Sequence, residues 1–567
     1  MIKNKIEAGI LVFMFILTGC SAGKKTLIEG SGIITPNAMV VTAHPEASRA
    51  GALILKSGGN AVDAAVATEF ALAVCYPEAG NIGGGGFMVI RTADGRTEVI
   101  DYREKAPGHA TKNMFLDSSG NISDNLSTET HLASGIPGTV DGMITAHSKY
   151  GKLSFNTVIQ PAIDLAKKGF RITEKQAIKL NSNRDVFIQR NAEKTAFVKD
   201  SLWKKDDILV QEELAGTLER IRDYGRDGFY SGIVASAIMN EMKRGNGIIT
   251  LTDLADYRSV SRVPLSEDYK GYKIITVPPP SGGGILLIQL LRMTEPYPVA
   301  EWGFNSPHTI HLIVEAERRA FADRSEHLGD PDYMKVQYKS LLDKKYLENR
   351  MSNFDEKKAS LSSEISPGNP ESYVSEETTH YSVVDAEGNA VSATTTLNGS
   401  FGNSIVVQGA GFLLNNEMDD FSVKPGYPNM FGLVGGEVNS IAPGKKMLSS
   451  MSPVIVEKEG KLFMVTGTPG GSTIPTTVYQ VIINVIEFGM SISEAVDAPR
   501  FHHQWLPDII MFENDRFSRG LSDTLQMMGH KLSGPGSIGR INSIMILDNG
   551  TRAAGADKRG DNSASGY

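Results

Sequence analysis

Two threonines stand side by side in S-E-E-T-T-H-Y-S-V-V-D, Ser375 to Asp385, where a polar run gives way to strand-like alternation. A threonine hydroxyl is a weak nucleophile until a base lies within hydrogen-bond reach. A chain that breaks before such a threonine supplies its own base, because the new α-amine, with a pKa near ~8, sits on the residue that carries the hydroxyl. A polar linker running into a strand suits that cut. The same pair also suits an ordinary strand start, since β-branched residues favour strands. Local alternation does not separate Thr378 from Thr379.

Other catalytic signatures are missing from the sequence. There is no G-x-S-x-G elbow, no phosphate loop ending in G-K-[ST] and no H-E-x-x-H. G-P-G-S-I-G, Gly534 to Gly539, has the letters of a dinucleotide loop but precedes a strand pattern rather than a helix. His308 and His311 are three residues apart without carboxylate company, so no metal and no cofactor is expected.

The elements that must position the threonines are legible as hairpins and helices. Four segments alternate around an acidic or Asn residue followed by Gly: from Phe87, Tyr381, Val454 and Ser543. Such hairpins, far apart in the chain, are expected to join one or two common antiparallel sheets. Between them lie helical patterns. The run from Ala47 to Val74 reads as two helices broken at Gly58 and Gly59. His308 to Arg324 carries Ile310, Ile313, Val314 and Phe321 on one face, and Val478 to Phe488 is an apolar helix ending at Gly489. Ser352 to Glu377, rich in Ser, Glu and Pro, reads as an exposed linker that ends directly at Thr378. The expected class is α+β, with helices flanking antiparallel sheets.

Bulk properties narrow the function. A chain of 567 residues with 41% hydrophobic content can bury a large core. A net charge of -8 without a dense Lys/Arg tract argues against nucleic acid. The N-terminus pairs M-I-K-N-K with an apolar run too short to span a bilayer, the pattern of an export leader. L-T-G-C, Leu17 to Cys20, resembles the lipobox of bacterial lipoproteins, which makes residues 1–19 a signal peptide and Cys20 the lipidated residue of a tether over 20–34. The expected location is a membrane-anchored, exported lipoprotein, on the periplasmic face of the outer membrane if the source is Gram-negative. The other cysteine, Cys75, sits in F-A-L-A-V-C and reads as a buried small hydrophobe.

Several ordered motifs now carry a resemblance. T-T-H-Y-S-V-V-D, T-L-N, L-L-N-N-E-M-D-D-F, G-L-V-G-G, L-S-S-M-S-P, P-G-G-S and A-P-R-F-H-H-Q-W-L-P-D-I follow one another, after H-P-E-A-S-R-A-G, G-G-N-A-V-D-A-A-V-A, G-N-I-G-G-G-G-F and D-Y-R-E-K-A-P. From about Thr35 to Tyr567 the chain resembles the γ-glutamyltranspeptidases, or glutathione hydrolases. The resemblance implies a four-layer αββα sandwich of the N-terminal-nucleophile hydrolase type. It also implies a self-cleaved precursor with a large subunit, 35–377, and a small subunit, 378–567, joined as a heterodimer. Substrates would be glutathione and other γ-glutamyl compounds, and acceptors water, amino acids or dipeptides.

Position by position, the resemblance makes Thr378 the nucleophile and Glu377–Thr378 the cleaved bond, with Thr396 hydrogen-bonded to the nucleophile. Gly470 and Gly471, in a P-G-G-S turn before a helix, would offer amides to the oxyanion. Arg103, with Ser449 and Ser450, would hold the substrate α-carboxylate, and Asn398, Glu417 and Asp420 its α-ammonium. In many bacterial members a tyrosine covers the pocket; here Phe431 stands in that loop. A lid that latches more loosely is expected, with Tyr427 a candidate to compensate. A shifted substrate on the same fold, as in a cephalosporin acylase or a poly-γ-glutamate depolymerase, is the first alternative. An inactive glutamyl-peptide-binding lipoprotein is the second.

Overall fold

The computed structural model describes residues 27–334, 338–366, 378–534 and 536–567. The leader, Cys20 and Glu377 lie outside the described residues.

All four expected hairpins form, and the glycines of their turns, Gly95, Gly388, Gly460 and Gly550, each take a positive φ. In chain order the main strands are β1 (Ile28–Gly30), β2 (Ile34–Thr35), β3 (Met39–Thr42), β4 (Gly85–Arg91) and β5 (Thr97–Asp101). They continue as β6 (Val260–Arg262), β7 (Leu265–Tyr269), β8 (Tyr272–Thr276), β9 (Thr379–Val384) and β10 (Ala390–Thr396). The last are β11 (Val454–Lys458), β12 (Lys461–Thr466), β13 (Asn542–Ile546), β14 (Arg552–Ala556) and β15 (Ser563–Gly566). One eight-stranded sheet runs β1-β15-β3-β9-β10-β4-β5-β6, and a seven-stranded sheet runs β2-β14-β13-β12-β11-β8-β7.

Helices close both outer faces. On the first sheet lie α1 (Pro45–Lys56) and α2 (Ala61–Cys75), whose apolar side chains share a core with Met88, Ile90, Tyr381, Val383, Val391 and Ala393. Ser57 ends α1, Gly58 turns the chain at φ 94°, and Asn60 opens α2 with a capping box to Asp63. The opposite faces of the sheets meet in a second core, which continues to α3 (Gly283–Thr294), α4 (Pro307–His327) and α5 (Ile474–Ile486). The result is the four-layer αββα sandwich.

Two expectations need correction. Ile310, Ile313, Val314 and Phe321 of helix α4 are buried as expected, but the burial goes further: Glu315, Glu317, Arg318, Arg319 and Asp323 are buried as well. Four of the five are ion-paired, Arg319 Nη1 donating to Glu315 Oε2 at 2.7 Å, Arg318 reaching Glu315 and Asp508, and Arg350 Nη2 meeting Asp323 at 3.0 Å, while Glu317 accepts the His503 amide and burial raises its pKa. The stretch after Ser352 is the reason. It docks on α4 rather than hanging in solvent: Ser360 N donates to Glu315 Oε1 (3.0 Å), Ser362 N to Asp508 Oδ2 (2.8 Å), and Trp505 Nε1 to the Ser362 carbonyl (3.0 Å). Only 367–377 of the proposed linker falls outside the described residues.

Candidate active site

Strand alternation decides what β9 and β10 present to each side. Thr379 pairs with Thr395 and Tyr381 with Ala393, facing the α2 layer, while His380, Ser382, Ser392 and Thr394 face the second sheet. Ser382 Oγ and Ser392 Oγ donate across the gap to the carbonyls of Asn542 and Thr466. Thr378 and Thr396 close this inner face at its end, with their hydroxyl oxygens 3.5 Å apart. Thr378 is 5% exposed.

The end of β10 is held from behind by the glycine-rich loop. Asn81 Nδ2 donates to the Thr396 carbonyl (2.8 Å) and to Thr395 Oγ1 (3.3 Å). A Cβ on Gly84 would lie 2.0 Å from the Thr396 carbonyl oxygen, so only glycine lets the loop press this close. After Thr396 the chain turns at Asn398, φ 72°, whose amide donates to Thr396 Oγ1 at 2.7 Å.

A cavity opens at the threonine pair, lined by Thr378, Thr396, Asn398, Arg103, Glu417 and Asp420, and by Phe431, Ser449, Ser450 and Gly471. Thus every described residue given a catalytic, substrate-binding or lid role from the sequence lines it, except Gly470 and the lid candidate Tyr427. Its volume is about 20 Å³, room for roughly one water. Two larger clefts, of about 650 and 330 Å³, hold none of these groups; the convergence of polar side chains identifies the site, not size. Gly470 sits one residue before the lining, at φ 136°, and Gly471 at φ 42° opens the turn leading into α5.

Arg103 is fully buried and ion-paired to Glu417 and Asp420, with Glu104 Oε2 at 3.3 Å. Burial would lower its pKa, but Glu417, Glu104 and Asp420 hold it above the usual arginine value. On the acids burial wins. It raises Glu417 well above the carboxylate range, raises Asp420, and takes Glu104 to about 7, each against the pull of Arg103. Three carboxyls share one guanidinium, so they titrate as a coupled unit.

His380, two residues beyond Thr378, is not its base. Both ring nitrogens are engaged, Nδ1 with Thr394 Oγ1 (2.9 Å) and Nε2 with Ser382 Oγ (3.1 Å), and burial lowers its pKa to about 3.

The lid differs from expectation. Phe431 is buried over the cavity, and its carbonyl accepts from Gln504 Nε2 (3.2 Å). Tyr427 does not compensate; it is 50% exposed, with Lys424 Nζ 4.3 Å from its ring centroid. Met430 takes the latch position, Asn398 Nδ2 donating to its sulfur at 3.5 Å. The adjoining Asn429 ties the loop down, donating from Nδ2 to Asp420 Oδ1 (3.0 Å) and accepting from the amides of Phe431 and Leu433.

Sequence reasoning also passed over Arg324, on α4, whose Nη2 donates to Ser450 Oγ at 3.2 Å and whose charge reaches Asp420. A buried Arg on a helix that reads as amphipathic gave no signal. Asn429 and Met430 directly precede Phe431 in the same loop and were overshadowed by that aromatic.

Comparison with known proteins agrees with this geometry. A model of the gamma-glutamyltranspeptidase family matches residues 47–567. The chain is 48% identical over 532 residues to the glutathione hydrolase proenzyme of Escherichia coli strain K12, covering 93% of this chain and 92% of that protein. The crystal structure of Helicobacter pylori gamma-glutamyltranspeptidase superimposes with a TM-score of 0.56 at 45% identity, covering 57% of this chain and 94% of that one. A cephalosporin acylase from Bacillus halodurans superimposes with a TM-score of 0.84 at 25% identity, covering 98% of this chain and 99% of that one. With nearly its whole length matched and its threonine pair, arginine and carboxylates around one cavity, the chain belongs to the gamma-glutamyltranspeptidase family.

Proposed function

We propose that this protein is a self-cleaving γ-glutamyltransferase and glutathione hydrolase that works through a threonyl acyl-enzyme. The observation that carries the proposal is the Thr378–Thr396 hydroxyl pair beside a buried arginine ringed by carboxylates. In the precursor the Thr378 hydroxyl attacks the Glu377 carbonyl, and the peptide becomes an ester that water opens. This leaves a large subunit, 35–377, and a small subunit, 378–567. Because β9 and β10 lie between β3 and β4 in one sheet, the two pieces stay interlocked after the cut.

The freed α-amine of Thr378 then takes the proton of its own hydroxyl, which attacks the γ-carbonyl of the donor. The oxyanion is met by the amides of Gly470 and Gly471, and the proton passes to the departing amine. Water, or an amino-acid or dipeptide amine, attacks the ester and releases glutamate or a new γ-glutamyl compound. Arg103, Ser449 and Ser450 take the donor α-carboxylate; Glu417, Asp420 and Asn398 take its α-ammonium. A cavity of about 20 Å³ must enlarge to admit a glutamyl group, so the 424–433 loop moves on binding.

A cephalosporin acylase reading has the fold in its favour, but carboxylates placed for an ammonium favour the glutamyl donor. The test is release of a chromophoric γ-glutamyl anilide, with and without a dipeptide acceptor, beside a denaturing gel. Two bands and turnover, both lost in Thr378→Ala, are expected; full turnover by an uncut chain refutes the proposal.

The export reading rests on the sequence alone. No described helix is long and apolar enough to cross a membrane, and attachment is assigned to acyl chains on Cys20. Radioactive fatty acid should label the protein, and Cys20→Ala should abolish the label.

A further inference from the structure

On the far side of the eight-stranded sheet, behind the cavity, a carboxyl group is buried where the layer is otherwise apolar. Glu69, on α2, is fully buried, and neither of its oxygens meets hydrogen-bond geometry with any described group. Three hydroxyls of the same region share that condition: those of Tyr102, Tyr381 and Thr379. The Tyr381 and Thr395 hydroxyls approach the Glu69 carboxyl, and Tyr102 approaches Thr395 and Tyr381. Tyr102 reaches this place across β4 because Gly86 has no side chain; a Cβ there would lie 3.0 Å from the Tyr102 ring. So many unsatisfied polar atoms in one spot are costly unless they serve a purpose.

Their positions in the chain indicate the purpose. Thr379 follows Thr378, Thr395 precedes Thr396 and Tyr102 precedes Arg103. Neighbours on a strand point to opposite faces, so Thr379 and Thr395 each have a site threonine beside them on the cavity side, and Tyr102 joins Arg103 directly after β5 ends at Asp101. We propose that Glu69 is a positioning residue, a clasp that ties β9, β10 and the Tyr102 corner together and so fixes the spacing of Thr378, Thr396 and Arg103. Burial raises the Glu69 pKa to about 8, so at neutral pH the group keeps its proton and can both donate and accept. Glutamine offers the same two functions without charge; methionine offers neither.

The inference rests on Thr378 being the nucleophile. Glu69→Met, Glu69→Gln and Tyr381→Phe are compared with wild type by kcat and KM on the γ-glutamyl anilide, by the rate of self-cleavage, and by thermal unfolding. Glu69→Met is expected to lower kcat per cleaved molecule at least tenfold without loss of Tm, and Glu69→Gln to stay within threefold. A folded Glu69→Met enzyme with wild-type kcat, or a Glu69→Gln enzyme as slow as Glu69→Met, overturns the clasp. If Glu69→Met does not accumulate, Tyr381→Phe decides: a kcat at least threefold lower supports the clasp, and an unchanged one overturns it. Should wild type itself fail to turn over, the assigned reaction fails, and hydrogen exchange of the β9 and β10 amides still reads the clasp. Faster exchange is expected in Glu69→Met but not in Glu69→Gln; equal exchange in all three overturns it.

Discussion

Thr396→Val removes one oxygen from the site and keeps the shape of the side chain nearly unchanged. Two described groups meet that oxygen. It lies 3.5 Å from Thr378 Oγ1, and it accepts the Asn398 amide at 2.7 Å. The first contact is long at rest, as hydrogen bonds of catalytic groups often are before substrate arrives. It matters most when Thr378 carries developing charge. Losing a hydrogen bond to a charged group costs about 1.5–3 kcal/mol, which is roughly a ten- to 150-fold drop in kcat. The second partner adds to the damage, since the buried Asn398 amide is left unsatisfied at about 1–3 kcal/mol. That cost falls on stability and on the placement of the Asn398 carboxamide, so KM rises as well. The assay is anilide release at saturating donor, with self-cleavage followed on a gel from freshly folded precursor. Thr396→Ser, which keeps the oxygen, should remain within about threefold of wild type. If Thr396→Val cleaves itself and turns over as fast as Thr396→Ser, the hydroxyl pair is not part of the chemistry and the reasoning fails.

Three further outcomes follow from the charges and the lid. Because burial raises the Glu417 and Asp420 pKa values, a donor ammonium loses its partners as pH falls through that raised range. Accordingly kcat/KM for a γ-glutamyl anilide should fall at a higher pH than a normal carboxylate would dictate, while a glutaryl anilide, lacking the amine, shows no such limb; parallel profiles contradict the assignment. Asn429→Ala unties the lid from Asp420 and should speed dissociation of a bound γ-glutamyl analogue by about tenfold, for the loss of roughly one hydrogen bond to a charged group; stopped-flow off-rates equal to wild type count against the tie. Burial pushes the Glu69 pKa up to about 8, from 4.5 for a free glutamate. The folded state therefore holds a proton that the unfolded state releases between these values, and stability declines as pH rises through that window. Glu69→Gln removes this dependence, so its unfolding free energy should gain on wild type steadily from pH 5 to 8, by up to about 1.4 kcal/mol per pH unit, read by denaturant melts; a constant difference contradicts it.

The sequence told most where a pattern is local. Alternation around a glycine turn depends on a handful of neighbouring residues, and all four hairpins stand where it put them. Helix α4 showed its apolar face in the sequence but not its full burial, because burial on every side of a helix is decided by what packs on it, here in part the 352–366 stretch. The site was legible through the resemblance, not through physics: nothing local distinguishes Thr378 from Thr379. The structure adds the reason they differ, since one faces the second sheet and the other faces α2. Glu69 escaped notice because a single acid in an Ala- and Val-rich helix looks like an exposed position, and only the unpaired hydroxyls around it give it meaning.

On the proposed assignment, donor choice works through charges that must not be left alone. Arg103, Glu417 and Glu104 are buried and the Asp420 side chain is only 12% exposed, and burying a charge is tolerable only while an opposite charge stays beside it. A γ-glutamyl group brings one positive and one negative charge on the same carbon. Its ammonium can replace the guanidinium at Glu417 and Asp420 while its carboxylate replaces them at Arg103, so each buried ion exchanges one partner for another. An acyl donor with an apolar side chain brings neither. To enter, it must either leave the Arg103 cluster intact and find room in about 20 Å³, or break the cluster and strand an ion at several kcal/mol. Binding is therefore selective chiefly by what it penalises. Arg324 belongs to the same account. Its hydrogen bond to Ser450 places a second positive group behind the carboxylate pocket, which offsets part of the negative excess around Arg103.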